Sequence, residues 1–476
     1  MFFFKLVFLW TSYACYTSID DLGYCDRVQT FTYSGEKDFC CYLATEDFTT
    51  DKEEILIELP EGDIEIKSSD CSCYPTDHNS SSASFLHLKG KGMNSTNLIL
   101  GSYFSIRFPI IEGLTIKCES EFSSSNWLID PYGQKIWLKD VRFQDFRAKY
   151  NLIYSGANTV FQNVFLENVN STFELFSIYG SVKVSSLSIQ KARIEKSIFN
   201  VEPWNNSVEI SDLRVSESTF GSFVTYRSFF SEETTNYKLI NTTFKSIEID
   251  STTFSEGFVE SRNTGNISFE KLTFTRVSFG GVLLPFKDSD NLAIDTLSFN
   301  LGNYKQDCSG LIQVSNIPTI EVKSLSINGS PCQKESNLVS PVFDVQSAKS
   351  ACITDSKFSN MDSVSNVGYA IRTFSVETFK ISSTTFENIQ NHKDSVLEFK
   401  TVESLVLNNV KVTNCVGQIR GVLFGEVVSL EASKLECFYC ESKSGNGGSI
   451  YYTPYSSDNL ETKLSIQDSV FESSKA

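Results

Sequence analysis

Residues 182–189 read VKVSSLSI, and this stretch sets the pattern for most of the chain. Apolar residues occupy its first, third, sixth and eighth positions, so apolar and polar residues alternate within each half. Such alternation is typical of β-strands that bury one face. The two polar residues in the middle shift the inward phase, as a tight corner between two short strands would, and Ser, Asn and Asp there can bond the local backbone.

The same motif recurs along the chain. We recognise thirteen copies, which begin at residues 136, 159, 182, 208, 237, 267, 292, 320, 351, 379, 405, 428 and 464. A second element follows each copy, a Gly or Ser and then a short apolar run, as in residues 310–314, 341–345 and 396–399. Three short strands per repeat of about 27 residues predict an all-β fold, a right-handed parallel β-helix, or solenoid.

Phenylalanine is abundant, with 39 residues. Seven of them recur at an inward position of the motif: Phe143, Phe244, Phe274, Phe299, Phe358, Phe386 and Phe471. We expect these rings to form an internal aromatic ladder between stacked coils. A leucine-rich repeat is the rival solenoid, but its LxxLxLxxN frame and helical segments are missing from the sequence.

Upstream segments extend the solenoid. Residues 55–66 have the strand, turn and strand of a first coil, and residues 84–92, 97–100 and 111–116 resemble the opening coils of the pectin-lyase-like superfamily of right-handed β-helices. The resemblance implies a β-helix over residues 53–476. That superfamily includes enzymes, adhesins and tailspikes, so the resemblance implies a fold more than a function.

Late segments also resemble the polymorphic outer-membrane-protein repeat, which alternates a GG-apolar element with FxxN. Residues 280–283 and 447–451 carry the first element, and residues 165–168 carry the second. Most copies depart from that pattern, because they have Phe-x-Asn or no Asn, and we expect no C-terminal β-barrel.

The N-terminus indicates export. Residues 1–10 read MFFFKLVFLW, one Lys in a short apolar run, and small residues follow at 11–14. This predicts a signal peptide over residues 1–17, too short to span a bilayer; the alternative is a buried first strand. Residues 18–52 would then form a Cys-containing N-terminal cap. We therefore expect a secreted or cell-surface protein.

Sequons and cysteines are consistent with export. The candidate N-glycosylation sites are Asn79, Asn94, Asn170, Asn205, Asn241, Asn266 and Asn328. The chain has 13 Cys, and 12 remain if Cys15 leaves with the signal peptide. The candidate disulfide cysteines are Cys25, Cys40, Cys41, Cys71, Cys73, Cys118, Cys437 and Cys440. Disulfides are favoured over a zinc site, since only His78 lies near the Cys71-x-Cys73 pair and none lies near Cys437-x-x-Cys440.

Composition excludes several functions. The chain has 41 Lys and Arg against 58 Asp and Glu, a net charge of −17, which argues against nucleic acid or an anionic membrane as a partner. The mean hydropathy of −0.14 is that of a folded, soluble chain without a transmembrane segment apart from the signal peptide. We expect an unknown glycan or protein at the cell exterior as the partner.

Catalytic motifs are missing. The polygalacturonase-like set of Asn-Thr-Asp, paired Asp in a strand, Gly-His-Gly and Arg-Ile-Lys does not occur; the sole Asp-Asp is Asp20-Asp21. The three His, at 78, 87 and 392, lie far apart. We predict no catalytic residue, metal ligand or cofactor, and a binding, adhesion or structural role. The alternative is a carbohydrate-active β-helix enzyme, a polysaccharide lyase or hydrolase, which would need carboxylates, or carboxylates and Arg, in one groove.

The C-terminus raises a separate expectation. Residues 465–476 complete the first part of a coil and stop, so we expect an exposed strand edge and a chain truncated within the β-helix; the alternative is that residues 471–476 form a frayed end covered by a partner.

Overall fold

The structure is a computed structural model of the 476-residue chain. It describes residues 28–35, 39, 42–43, 54–66, 85–101, 108–118, 129, 135–149, 151–202, 206–226, 239–262, 264–300, 310–329, 341–362, 369–392, 394–445, 447–455 and 461–475. The predicted signal peptide lies outside the described residues, as do these predicted site residues: Asn79, Asn205, Cys25, Cys40, Cys41, Cys71 and Cys73.

The described residues form 34 β-strands. The first eighteen are β1 (Val28–Thr32), β2 (Glu54–Glu58), β3 (Gly62–Ile66), β4 (Phe85–Lys89), β5 (Thr96–Leu100), β6 (Ile110–Cys118), β7 (Ile136–Gln144), β8 (Arg147–Ala148), β9 (Ile153–Ser155), β10 (Thr159–Glu167), β11 (Asn170–Ser171), β12 (Phe176–Ile178), β13 (Val182–Gln190), β14 (Arg193–Val201), β15 (Ser207–Ser216), β16 (Thr219–Thr225), β17 (Leu239–Asp250) and β18 (Thr253–Arg262). The others are β19 (Thr264–Thr275), β20 (Ser278–Phe279), β21 (Val282–Lys287), β22 (Asn291–Asn300), β23 (Gly310–Ser315), β24 (Thr319–Asn328), β25 (Phe343–Thr354), β26 (Lys357–Asp362), β27 (Ile371–Gln390), β28 (Leu397–Thr413), β29 (Val416–Gly417), β30 (Leu423–Phe438), β31 (Glu441–Ser442), β32 (Ile450–Pro454), β33 (Lys463–Gln467) and β34 (Val470–Glu472).

Strands one coil apart pair in parallel, and equivalent residues of the motif lie side by side. Val182 in β13, for example, lies between Thr159 in β10 and Val208 in β15. About 12 such turns follow one another at intervals of about 26 residues. The predicted fold, a right-handed parallel β-helix built from repeats, is confirmed. Each coil buries its inner apolar residues against its neighbours, at a spacing of about 4.8 Å.

The two-residue interruption of the motif is a left-handed corner. In residues 182–189 the second corner residue, Ser186, has a φ of 65°. The same position has φ between 49° and 65° in every copy: Asp140, Asn163, Ser186, Asp212, Ser246, Lys271, Thr296, Ser324, Asp355, Ser383, Asn409, Lys434 and Asp468. A left-handed residue reverses the strand phase, so the apolar residues on both sides of it face inward. Asn and Asp tolerate this conformation best, which explains the polar corners.

One copy begins five residues later than predicted. Its first inward residue is Thr242, which lies beside Val208 and Ile267, and not Tyr237. Thr242 is fully buried, and its hydroxyl lies 3.3 Å from the hydroxyl of Tyr226. A polar residue in an apolar position hides the start of the motif from a hydrophobicity pattern.

A second copy is shifted by two residues. It begins at Leu430, which lies beside Leu405 and Leu464, and not at Val428. Ala432 and Cys437 fill two inward positions of this coil. Because both side chains are small, the alternation of apolar and polar residues is stronger when the motif is placed two residues earlier, at Val428.

Four of the seven rings predicted to form the ladder stack between coils, in two pairs. The centroids of Phe274 and Phe299 are 4.8 Å apart with an interplanar angle of 10°, and those of Phe358 and Phe386 are 5.0 Å apart at 17°. All four are fully buried. The ladder is therefore made of short stacked runs in the last inward position of the motif.

Phe244 lies in a neighbouring position and not in the predicted one. It occupies the third residue of the motif, beside Ile210 in one coil and Phe269 in the next. Its ring stacks on that of Phe269 at 5.1 Å and 7°. Phe therefore fills two inward positions of the motif, and other buried Phe, such as Phe176, Phe199 and Phe254, lie in the remaining strands of the coils.

The two ends of the described solenoid differ. At the first end, β1 pairs with β2 and lies within the segment assigned to the cap. At the last end, Leu464, Ile466 and Phe471 continue inward positions of the preceding coil but are exposed. The predicted domain boundaries and the predicted truncation stay predictions. Within the part of the chain that the structure describes, no helix is long and apolar enough to cross a membrane.

Candidate functional site

One sheet of the β-helix carries polar side chains at equivalent positions on its outward side. In successive coils this position is occupied by Tyr154, Ser177, Asn200 and Thr225. The next strand in the series is β18, and the coils after it carry Pro285, Gln313, Asp344, Arg372, Glu398, Phe424 and Tyr451 at this position. We call this side of the sheet the polar face. Its inward neighbours, such as Phe343 and Val345, lie in the core.

The polar face is recessed. Asp344 and Glu398 are each 2% exposed, and Asn200 is 3% exposed, although all three point away from the core. Burying a charged group costs free energy unless it is paired and hydrogen-bonded. The partners of these side chains therefore define what the face can do.

Asp344 forms a bidentate ion pair with Arg372 in the next coil. Arg372 Nε donates to Asp344 Oδ1 at 2.9 Å and Nη2 donates to Oδ2 at 2.6 Å. Gln346 Nε2 also donates to Asp344 Oδ2, at 2.9 Å. Burial lowers the pKa of Arg372, but the hydrogen bonds and charge of Asp344 outweigh burial and raise it overall. The guanidinium is held in one plane and one orientation.

Glu398 and Asp394 extend this pair into the next coils. Lys400 Nζ lies 2.7 Å from Glu398 Oε1, and Arg420 bridges the two acids, at 3.1 Å from Asp394 Oδ2 and 3.8 Å from Glu398 Oε1. The backbone N–H of Ser395 donates to Asp394 Oδ1 at 3.0 Å. Both acids are thus ion-paired.

Tyr369 closes the group. Its hydroxyl donates to Asp394 Oδ2 at 3.4 Å. Burial raises the pKa of Tyr369, and the charges of Glu398 and Asp394 raise it further. The phenol is therefore a hydrogen-bond donor and not a base at neutral pH.

Three carboxylates and three cations balance in this group, which we call the ion cluster: Asp344, Asp394, Glu398, Arg372, Lys400 and Arg420. The cations are the more exposed members. The side chains of Arg372, Lys400 and Arg420 are 25%, 33% and 33% exposed, against 2%, 13% and 2% for the three acids in the order given. The ion cluster therefore presents fixed N–H donors above buried carboxylates.

Aromatic side chains flank the ion cluster. Phe374, two residues after Arg372, lies between Gln346 and Lys400 and is 52% exposed. Arg420 lies over the ring of Phe424 at 4.4 Å, and the Phe424 ring stacks on Tyr451 at 5.8 Å. An exposed ring beside fixed polar groups is a typical binding arrangement.

A shallow cavity of about 230 Å³ continues the polar face on the side of the earlier coils. It is lined by Ser261, Pro285, Phe286, Lys287, Gln313, Ser315 and Gln346. Gln346 belongs to both the cavity lining and the hydrogen bonds of Asp344. The cavity and the ion cluster are therefore contiguous.

His87, one of the three His, lies in a different ion group on the outward side of β4, β6 and β7. Its Nε2 lies 3.3 Å from Glu112 Oε2, and Lys139 Nζ lies 2.8 Å from Glu112 Oε1. Lys89 Nζ is 3.7 Å from Glu112 Oε2. The hydrogen bond from His87, followed by the one from Lys139, lowers the pKa of Glu112 to about 2, although burial opposes this.

The described sequons lie at the surface or partly buried. Asn94 is exposed in a turn and Asn170 is half-buried in β11. Asn266 Nδ2 donates to Asn241 Oδ1 at 3.0 Å, and Asn291 Nδ2 donates in turn to Asn266 Oδ1 at 2.8 Å. Two sequons thus belong to one asparagine ladder between coils.

Asn328 begins another ladder. Its Oδ1 accepts from Asn360 Nδ2 at 2.9 Å, and Asn388 and Asn414 continue the series. All four amides are exposed. Glycosylation of the predicted sites stays a prediction.

The described candidate cysteines Cys118, Cys437 and Cys440 are buried. The hydrogen bond between Cys437 and Cys440, together with burial, raises the pKa of Cys437. Cys415 occupies the position of Cys440 one coil earlier. The predicted disulfides stay predictions. Among the residues that the structure describes, no three His, Cys, Asp or Glu side chains are grouped to hold a metal ion.

The ion cluster was missed at the sequence level. Its members Asp344 and Glu398 are the single polar residues inside the apolar runs 341–345 and 396–399, and the hydrophobic pattern depends on the apolar residues of these runs alone. The available signal was a charged residue at the same place in three consecutive coils, with Arg372 between the two acids.

Comparisons with known proteins add little. No family model matches the chain, and no curated protein matches it. Among solved structures, the A-module of the mannuronan C-5 epimerase AlgE6 from Azotobacter vinelandii matches at 8% sequence identity and a TM-score of 0.23, over 84% of this chain and 91% of that chain. The resemblance of this chain to the pectin-lyase-like superfamily stays a prediction.

Proposed function

We propose that the chain is a β-solenoid that binds a carbohydrate on its polar face. The observation that carries this proposal is the ion cluster beside the exposed ring of Phe374. Sugars present hydroxyl groups that pair with fixed donors and acceptors, and C–H faces that pack on aromatic rings. Arg372, two residues before that ring in the same strand, and Lys400, beside the ring in the next coil, supply donors, and their buried acids keep them in place.

The pairing of charges suits the recognition of a polar ligand. Each acid of the ion cluster forms an ion pair with Arg or Lys, so the donors above the buried carboxylates are held in fixed positions. Tyr369 keeps its proton for the reasons given above. The cluster therefore suits a recognition or adhesion role.

A carbohydrate-active enzyme is the second candidate, because three carboxylates and two Arg meet on one face of a β-helix. Incubation with neutral and acidic polysaccharides distinguishes the two functions. Binding without new reducing ends or unsaturated sugars supports the first proposal; turnover that disappears in Asp394→Asn supports the second.

Export belongs to the same proposal. A glycan-binding face acts outside the cell, and the apolar N-terminus and the exposed Asn94, Asn241, Asn266 and Asn328 agree with a secreted or cell-surface protein. Expression in a eukaryotic secretory system tests this. A mature N-terminus near residue 18 and a mass loss on treatment with an N-glycosidase support export; an intact Met1 and no mass change contradict it.

The binding proposal is tested with an array of neutral and acidic glycans. We expect Phe374→Ala to weaken binding of the best ligand by about fivefold, since an aromatic contact contributes on the order of 1 kcal/mol and a tenfold change corresponds to about 1.4 kcal/mol. Tyr439→Ala is the matched control, because Tyr439 is 59% exposed at a corner away from the polar face. Equal losses in both variants, or no ligand at all, would refute the proposal.

A further inference from the structure

The earlier coils of the polar face carry a second group of polar side chains. Tyr154 and Asn200 occupy the same outward position as Asp344, with Ser177 between them. Tyr179 and Glu202 lie two residues further along their strands, the position that Phe374 and Lys400 occupy around the ion cluster. The two groups are therefore equivalent in register.

The rings of Tyr154 and Tyr179 form a pair. Their centroids are 5.2 Å apart and their planes meet at 63°. Both side chains are half-buried, so each ring keeps an accessible part. Burial, the hydrogen bond with Tyr154 and the charge of Glu202 raise the pKa of Tyr179. The phenol of Tyr179 therefore stays protonated at neutral pH.

Asn200 carries a buried acceptor without a donor. The residue is 3% exposed, and its side-chain Oδ1 receives no hydrogen bond in the described structure. An unsatisfied buried polar atom destabilises the folded state. A hydroxyl group of a ligand would satisfy it.

The backbone around this group is braced. Asn206 Nδ2 donates to the backbone carbonyls of Tyr179, at 2.7 Å, and Glu202, at 3.0 Å. Asn151 Nδ2 donates to Ser177 Oγ at 2.6 Å. These bonds fix neighbouring coils relative to one another, which lowers the entropy lost when a ligand binds.

We infer that Tyr154, Tyr179, Asn200 and Glu202 form a second subsite, and that one linear oligosaccharide spans this subsite and the ion cluster. The inference rests on the proposed function and adds the class of ligand. Five coil steps separate Asn200 from Asp344, which corresponds to about 24 Å. The cavity at Lys287 and Gln313 lies between them on the same face.

The ligand is an uncharged chain at this end. The tyrosine rings and the unsatisfied acceptor of Asn200 suit neutral sugars with unsubstituted hydroxyls. A chain that reaches both subsites gains from the high effective concentration of its second half. Affinity should therefore rise steeply once a chain exceeds about 24 Å.

The test measures binding of size-fractionated cellulose, chitin and xylan oligosaccharides, from disaccharides to dodecasaccharides, by calorimetry. For the polymer that binds, we expect chains longer than about 24 Å to bind at least tenfold more tightly than short ones. Tyr154→Ala should abolish that gain and leave short chains unaffected. Tyr179→Phe, which keeps the ring and the packing, should give a smaller loss on long chains only.

Thermal melting of each variant and the Tyr439→Ala control show that the fold is intact. Long chains that bind Tyr154→Ala and Tyr179→Phe as tightly as wild type overturn the second subsite. If Phe374→Ala still weakens short chains in that case, the proposed function stands. If no glycan of any length binds the wild-type protein, the proposed function fails as well.

Discussion

The corner residue of each motif determines whether a coil can close. Ser186 and its equivalents adopt a left-handed conformation that costs an ordinary L-residue about 1–2 kcal/mol, and Asn or Asp less. Thr296 is an unfavourable choice, because it is β-branched and has a φ of 61°. Single corners therefore store strain that a substitution can release.

Thr296→Asn is expected to stabilise the protein by about 0.5–1 kcal/mol, since Asn tolerates the left-handed region that Thr avoids. The midpoint of urea unfolding measures the change. Thr273→Asn is the matched control, an exposed strand residue where the same substitution lowers β-propensity. The account of the corners is wrong if both variants shift the midpoint in the same direction.

Glu112 provides a pH test at the same scale. Its pKa is about 2 in the folded protein, against an ordinary value of 4.5. The folded state therefore gains stability from this carboxylate above about pH 4.5 and loses that gain as the pH falls towards about 2. Glu112→Gln should flatten the fall in unfolding free energy over this interval. An unchanged slope in the variant would contradict the pairing with His87.

At the scale of the element, a strand is stabilised more by contacts with the side chains of the neighbouring coils than by interactions among its own residues. Phe299 lies against Phe274 in the neighbouring coil, and the parallel ladder repeats this relation in every coil. Since each coil contacts only its neighbours, damage should stay local. This locality distinguishes a solenoid from a globular core.

Phe299→Ala is expected to destabilise the protein by about 3–5 kcal/mol, because it removes a fully buried ring and leaves a cavity. Hydrogen exchange should rise in β19, β22 and β24 and remain unchanged in β7. Phe374→Ala, at an exposed ring, should change stability by less than about 0.5 kcal/mol. Uniform loss of protection along the whole chain would contradict the stacked-coil account.

At the scale of the whole molecule, repetition made the fold predictable. Thirteen weak copies of one motif reinforce each other, whereas a single copy could be any half-buried strand. The predicted start of the motif is wrong for two copies. One begins at Thr242, where a polar residue fills an apolar position, and the other at Leu430, whose coil has small inward residues. Both errors arise because side-chain volume and local hydrogen bonds decide which residues face the core at positions where the hydrophobicity pattern does not distinguish them.

The polar face could not be predicted in the same way. A charged residue between two apolar ones looks the same in sequence whether water or a neighbouring coil solvates it. Asp344 and Arg372 become partners only through a register that spans insertions of variable length between coils. The net charge of −17 gives no hint of the ion cluster either, since its three acids and three cations cancel.

The most direct test of carbohydrate binding on the polar face is a crystal structure of the protein with the tightest oligosaccharide from the array. We predict sugar density along the outward side of β25, β27 and β28, with a sugar ring against Phe374 and hydroxyls on Arg372 and Lys400. An oligosaccharide bound to another face, with the polar face free of sugar, would contradict the account.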